Sequence, residues 1–146
     1  MQFCRKVSAF LLSGLLLTFT ASEDATEDDA STGAQSKLLT GGGVKTWKVS
    51  TVRQNSTTLP QSDCIMDDLY TFADNKNFEL DEGVNKCKAT SPQKQTGLWE
   101  LNNSTITIRQ GSTNSYFKIK SLTGTKLVAT SNNTGSKEVE VTFQAQ

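Results

Sequence analysis

The sequence predicts an all-β protein, folded as an up-and-down antiparallel barrel of about eight strands. From residue 44 onward, short runs of β-branched and aromatic residues alternate with polar residues, and clusters of Asn, Asp, Gly and Ser separate them. This part of the chain shows no long helical pattern and no βαβ unit. Because most connections are short, strands adjacent in sequence should pair antiparallel, and closing the sheet removes its exposed edges.

Composition narrows the possible functions. The 146 residues include 15 Lys plus Arg, 15 Asp plus Glu, and no histidine. A formal net charge of zero argues against nucleic-acid binding, which needs a basic surface. Histidine is the commonest general base and metal ligand, so its absence argues against most hydrolases and zinc sites. We therefore predict a non-catalytic protein without a cofactor or metal.

The N-terminus predicts export. Residues 1–21 have the pattern of a signal peptide, with Arg5 and Lys6 before an apolar run over residues 7–19. The residues that end this segment are similar to a lipoprotein processing box in which Ser22 stands where the lipid-bearing cysteine would be. We predict cleavage by ordinary signal peptidase and a periplasmic, outer-membrane-associated or extracellular location. Membrane association is expected only if the chain is lipid-anchored, which is the alternative.

The mature chain begins with a stretch unlike the rest. Residues 22–36 carry five acidic residues, no basic residue and no large apolar side chain, so we predict a flexible acidic tether. Residues 37–43 predict a short helical turn or plug that is ended by glycines. The barrel domain is expected to occupy residues 37–146.

The strands follow in order. Trp47, Val49 and Thr51 should share one face of the first strand, because side chains alternate along a strand. Two hairpins are predicted next, each closed by a turn rich in Asn or Asp. The predicted strand cores after the first are 69–72, 78–80, 98–101, 105–108, 116–119, 126–129 and 139–143.

Cysteine usage agrees with export. Cys4 lies in the signal peptide, which leaves Cys64 and Cys87 in the mature chain. An even pair in an exported protein predicts a disulfide, and its loop would stabilise the fold by roughly 3 kcal/mol in the chain-entropy model. A reactive thiol is the alternative, although the chain offers no histidine to activate it.

The most specific part of the sequence runs from Asp63 to Trp99 and contains both cysteines. The motifs are Thr46-Trp47-Lys48-Val49, Asp63-Cys64, Asp67-Asp68-Leu69-Tyr70-Thr71-Phe72, Asp81-Glu82-Gly83, Lys86-Cys87 and Gly97-Leu98-Trp99. Over residues 38–143 this pattern resembles the bacterial lipocalin-like domain family, small exported β-barrel domains found mostly on lipoproteins. The resemblance implies a lipocalin-like barrel, a disulfide between Cys64 and Cys87, and lipid anchoring of the N-terminus.

An eight-stranded barrel is wide enough either to be filled by side chains or to hold one small ligand. The expected ligand-binding residues are the aromatic side chains Trp47, Tyr70, Phe72, Trp99 and Phe117. They belong to a larger expected lining that also includes Val49, Phe78, Leu80, Leu101, Ile106, Ile108, Ile119, Val139, Val141 and Phe143. The alternative is that this set is simply the core.

Two acidic steps lie near the cysteines, Asp67-Asp68 and Asp81-Glu82. Paired carboxylates can bind calcium or act as the acid and base of a glycosidase. Adjacent residues on a strand point to opposite faces, so each pair offers only one carboxylate to a common site. We therefore expect solvated acids at strand ends.

Together these features predict an exported, monomeric lipocalin-like protein that binds a small apolar or amphipathic molecule without catalysis. The alternative is a surface interaction module with a filled barrel, such as a protease inhibitor or a glycan- or protein-binding accessory domain. In that case the loop over residues 81–94 would present the binding face.

Overall fold

The structure is a computed structural model that describes residues 27–131 and 137–146. The predicted signal peptide at 1–21, the first part of the predicted tether at 22–26, and part of the last interstrand loop at 132–136 lie outside the described residues. Among the described helices, none combines the length and the apolar character required to cross a membrane.

Nine strands and two helices make up the described chain. The helices are α1 (Glu27–Thr40) and α2 (Asp63–Met66). The strands are β1 (Val44–Gln54), β2 (Thr57–Thr58), β3 (Leu69–Ala73), β4 (Asn77–Asp81), β5 (Lys94–Asn102), β6 (Thr105–Gln110), β7 (Thr113–Leu122), β8 (Lys126–Ser131) and β9 (Val139–Ala145).

The strands form one closed antiparallel barrel. Their order in the sheet is β2-β1-β3-β4-β5-β6-β7-β8-β9, and β1 also pairs with β9. The strand β2 pairs only with the end of β1, at Arg53 and Gln54, so eight strands close the barrel. Sequence neighbours pair all round the barrel, which confirms the predicted all-β, up-and-down architecture.

Apolar side chains fill the barrel interior. All fifteen residues of the expected lining belong to the core or pack directly against it. The core also contains four buried residues that the strand pattern did not identify as lining: Leu39, Val52, Leu127 and Ala129.

The first strand departs from simple alternation. The pairing of β1 with β9 shifts between Val49 and Thr51, so one extra residue is accommodated there as a β-bulge. Beyond the bulge Val52 is buried, whereas Thr51 is only partly buried. The prediction that Thr51 shares a face with Trp47 and Val49 is therefore wrong, because an extra residue inverts the alternation after it.

The chain before β1 is also more ordered than its composition suggests. Residues 27–36, expected as flexible tether, lie in α1, and the helix ends at Thr40 before Gly41, whose φ is +66°. The last turn of α1 is fixed by packing, since Leu39 and Thr40 are buried. The tertiary contacts of Leu39 and Thr40 offset the entropy lost when the helix becomes ordered. The acidic part of the helix has no large apolar side chain that could do so. The predicted glycine-ended turn at 37–43 is thus the end of a longer helix.

Candidate ligand site at the disulfide-linked end of the barrel

The two ends of the barrel are closed differently. The helix α1 contacts β1, β3, β5 and β7 at one end. The opposite end carries the long connections between β1 and β3 and between β4 and β5. We call this second end the loop end.

Three of the five expected ligand-binding residues are wholly buried. Trp47, Phe72 and Trp99 have exposed fractions of 0–3%. The indole N–H of Trp47 donates to the carbonyl of Leu39 at 2.8 Å, and that of Trp99 donates to the carbonyl of Ala73 at 2.8 Å. Trp47 therefore holds the last turn of α1, and Trp99 holds the β3–β4 turn. Together with Phe72 these two side chains form a rigid floor inside the barrel.

The other two, Tyr70 and Phe117, are only partly buried but join the same network of rings. Four of the five expected residues belong to this network, and the fifth, Trp47, is the cross-strand neighbour of Tyr70. Ring centroids lie 5.7 Å apart for Phe72–Trp99, 5.2 Å for Phe72–Phe78, 6.2 Å for Tyr70–Phe78, 5.3 Å for Tyr70–Phe143 and 5.9 Å for Phe117–Phe143. Rings at these distances are in direct contact, so this part of the interior is filled by side chains.

Several apolar side chains near the loop end are only partly covered. Tyr70, Leu80, Leu59 and Met66 pack against the core but are only partly buried. The pairing of β1 with β3 stops at Lys48, so the rest of β1 separates from β3. A cavity of about 220 Å³ lies at this separation, lined by Ser50, Thr51, Val52, Thr58, Leu59, Gln61 and Met66.

A disulfide joins the two loops at this end. The sulfurs of Cys64, on α2, and Cys87, in the β4–β5 connection, are 1.98 Å apart, and their Cα atoms are 5.0 Å apart. The predicted disulfide is therefore present, and neither cysteine is a free thiol in this structure. Disulfides are typical of proteins that mature in oxidising compartments.

Asp67 adds a second link between the same loops. One carboxylate oxygen, Oδ2, accepts hydrogen bonds from the backbone N–H of Val84 at 2.9 Å and of Asn85 at 2.8 Å, and from the Asn85 amide at 3.1 Å. The hydrogen bonds from Asn85 and Val84 lower the pKa of Asp67. At Gly83, where φ is +62°, a Cβ would lie 2.6 Å from the Asp67 carboxyl carbon, so only glycine fits there.

The other acid of each pair lies at the loop end of the interior. Asp68 continues the inward face of Tyr70, and Glu82 continues the inward face of Leu80. The Gln95 side chain donates to Glu82 Oε1 at 2.8 Å. Three carboxylate oxygens at this end, Asp67 Oδ1, Asp68 Oδ1 and Glu82 Oε2, are buried and have no hydrogen-bond partner among the described residues.

Burial, followed by the negative charges of Glu82, Asp67 and Asp81, raises the pKa of Asp68 to about 6. Asp68 and Glu82 are therefore only partly solvated, since one oxygen of each is buried. By alternation along the strands, each pair is expected to give one carboxylate to a common side. Alternation could not show that Asp68 is partly buried, because burial depends on the assembled barrel end. Within the part of the chain that the structure describes, no group of three or more His, Cys, Asp or Glu residues is arranged to hold a metal ion.

Comparison with known proteins agrees with this architecture. A family model described as a lipocalin-like domain matches residues 44–129, which is more than half of the chain and covers β1 to β8 except for the last two residues of β8. Comparison with curated proteins gives no significant match. The closed eight-stranded barrel and this match lead to one conclusion: the chain belongs to the lipocalin-like domain family.

Proposed function

We propose that this protein is an exported, non-catalytic binding protein that holds a small apolar or amphipathic molecule at the loop end of its barrel. The ligand would contact Tyr70 and Phe117 directly and rest above the floor formed by Trp47, Phe72 and Trp99. A lipocalin-like barrel can hold a small hydrophobic ligand, and this property of the fold supports the proposed class of function.

One observation carries the proposal: inward-facing apolar side chains around Tyr70 remain partly exposed at the loop end, whereas the floor residues are wholly buried. Covering partly exposed apolar surface inside a barrel with an apolar ligand is favourable, because it removes that surface from water. The rigid floor lowers the cost of binding, because its side chains need not be ordered by the ligand.

Native mass spectrometry of the protein exported from its host cell tests this proposal. Extra mass that is lost on denaturation would reveal a bound small molecule and its chemical class. Tyr70→Ala should lose that mass, whereas Tyr116→Ala, on the outer face of β7, should retain it. Circular dichroism would show that both variants fold. A bare mass, together with no change in tryptophan fluorescence on adding fatty acids or sterols, would overturn the proposal.

A second candidate function, a protein-interaction module, is favoured by the β4–β5 loop. Val84 is 92% exposed on a backbone that Asp67 and the nearby disulfide hold in place. A rigid loop with an exposed apolar side chain loses little entropy when it enters a pocket of a partner. If this function applies, Val84→Asp should abolish inhibition of a target such as an extracellular protease. The same variant should leave small-molecule binding unchanged.

The proposed export has its own test. The disulfide supports maturation in an oxidising compartment. Fractionation of the host cell should find the mature protein outside the cytoplasm. Its measured mass should correspond to a chain that begins near Ser22 and carries no lipid. A mass increased by acyl chains would instead establish the lipid-anchored alternative. Sedimentation of the same sample should give the mass of a monomer.

A further inference from the structure

We propose that the outer face of the barrel carries a second binding site, for a small zwitterion with one carboxylate and one ammonium group, such as a free amino acid. The site is a cavity where β7, β8 and β9 pass the β1–β2 turn. It is separate from the interior of the barrel, so this inference goes beyond the proposed function and does not rest on it.

The cavity has a volume of about 270 Å³, and every described residue that lines it is polar or charged. This volume is about nine times the share of one water molecule in the liquid, and it lies below the range of about 300–1,000 Å³ that holds drug-sized ligands. The cavity therefore suits a small polar molecule rather than an apolar one. Its charged residues are Arg53, Lys120, Glu138 and Glu140.

Strand register places three of these charged groups together on the outer face. Glu140 on β9 lies directly opposite Arg53 on β1, and the neighbouring Val141 is buried in the core, so both charged side chains point outward. Lys120 is the extra residue where the pairing of β7 with β8 shifts, which is a β-bulge. Its Nζ reaches across β8 and donates to Glu140 Oε2 at 2.6 Å.

The β1–β2 turn forms one wall of the cavity. Its two central residues, Asn55 and Ser56, have φ values of +48° and +66°. Positive φ at both central residues is typical of the type I′ turn, whose twist matches that of the two strands it joins. The hairpin therefore fixes this wall. Both residues line the cavity, and their side chains can donate and accept hydrogen bonds.

The charges at the cavity are only partly paired. The hydrogen bond between Lys120 and Glu140 lowers the pKa of Glu140 and raises the pKa of Lys120, so these two groups neutralise each other as an ion pair. Arg53 and Glu138 take part in none of the salt bridges formed by the described residues. Both are exposed, so a ligand can reach them. The cavity therefore offers one cation and one carboxylate that lack a charged partner in the described chain.

A zwitterion complements this arrangement. Its carboxylate can accept two parallel hydrogen bonds from the planar guanidinium of Arg53, and its ammonium group can donate to the carboxylate of Glu138. A simple anion would be repelled by Glu138 and Glu140, and a simple cation by Arg53 and Lys120. A neutral apolar ligand gains little, because no described residue of the lining is apolar. A small amino acid satisfies both free charges at once.

Three probes of matched size test the inference: L-glutamine, its analogue without the amino group (glutaramate) and its analogue without the carboxylate (γ-aminobutyramide). Each is titrated into isotope-labelled protein while nuclear magnetic resonance follows the backbone amide signals. We expect L-glutamine to bind at least about fivefold more tightly than either analogue, because each analogue loses one charged contact and keeps the repulsion from the like charges. The shifts should concentrate at Arg53, Ser56 and Glu138.

Two substitutions assign the roles of the free charges. Arg53→Gln should abolish the advantage of L-glutamine over the analogue that lacks the carboxylate. Glu138→Gln should abolish its advantage over the analogue that lacks the amino group. Arg109→Gln is the matched control, since Arg109 lies on the outer face of β6 and pairs with Glu100 away from the cavity. Circular dichroism should show that all three variants fold as the parent protein does.

The outcomes are decisive for the site. Equal binding of the three probes, the lack of a saturable shift with L-glutamine, or shifts that lie away from the cavity would each overturn the inference. A preference for L-glutamine that survives both Arg53→Gln and Glu138→Gln would also overturn it. Tyr70→Ala, which should lose the interior ligand, should leave the binding of L-glutamine unchanged. The two proposals therefore succeed or fail independently.

Discussion

The disulfide between Cys64 and Cys87 should provide a large part of the stability of this domain. We consider the double variant Cys64→Ala and Cys87→Ala, which opens a loop with a sequence separation of 23. In the chain-entropy model, a loop of that length restricts the unfolded chain by about 11 cal/mol/K, equivalent to about 3.4 kcal/mol at 25 °C. Most small domains are stable by only about 5–15 kcal/mol, so this is a substantial fraction.

The effect should act on the unfolded state more than on the native one. In the variant, the three hydrogen bonds to Asp67 Oδ2 still hold the loop against the start of β3. Near-ultraviolet circular dichroism and tryptophan fluorescence should therefore match those of the parent protein. The free energy of unfolding, measured by urea titration, should fall by about 3.4 kcal/mol. The melting temperature should fall by roughly 10–20 °C.

Two results would refute this reasoning. A loss below about 1 kcal/mol with an unchanged native spectrum would show that the unfolded chain is already compact near the cysteines, so that the bond restricts little. A changed native spectrum would show that the disulfide, rather than Asp67, holds the loop in place. The matched control is the parent protein after reduction and alkylation, which should behave as the double variant does.

Three further variants test the packing and the electrostatics. Gly97→Ala should lower the free energy of unfolding by about 1–3 kcal/mol or more, because its Cβ would lie 2.2 Å from the carbonyl oxygen of Arg109, whereas Gly124→Ala has open space and should cost little. Trp47→Phe should cost about 1–3 kcal/mol and speed amide exchange in α1, because the buried carbonyl that accepts its indole N–H loses its donor. Asp68→Asn should raise the free energy of unfolding at pH 7 by about 1 kcal/mol, because it removes the cost of ionising a partly buried carboxyl, and solvent screens part of that cost.

The sign of the Asp68 effect follows from its raised pKa. The native state holds the proton more tightly than the unfolded state, so the favourable contribution is complete below about pH 4 and is lost as the pH rises through about 6. The parent protein should show this slope and Asp68→Asn should not. A parent protein whose free energy of unfolding rises between pH 4 and 6, relative to that of Asp68→Asn, would contradict the prediction. For the other two variants, a stable Gly97→Ala or an undisturbed α1 in Trp47→Phe would contradict the corresponding packing argument.

The sequence alone determined the barrel, because alternation, short turns and the pairing of neighbours are local properties. It placed the inward aromatic residues correctly, and export chemistry predicted the bond between Cys64 and Cys87. Alternation also indicated that each acidic pair contributes one carboxylate to a common side. These inferences need only the period of a strand and the turn residues.

Tertiary structure decided what local patterns do not encode. The bulge after Val49 inverts alternation because the closing strand β9 sets its register. The order of α1 depends on burial of its last turn rather than on its own composition. The partial burial of Asp68 is a property of the assembled barrel end and cannot be read from its own strand pattern. Burial is a property of the assembled surface, and for this reason the position and the charge of the candidate ligand site emerged only from the folded barrel.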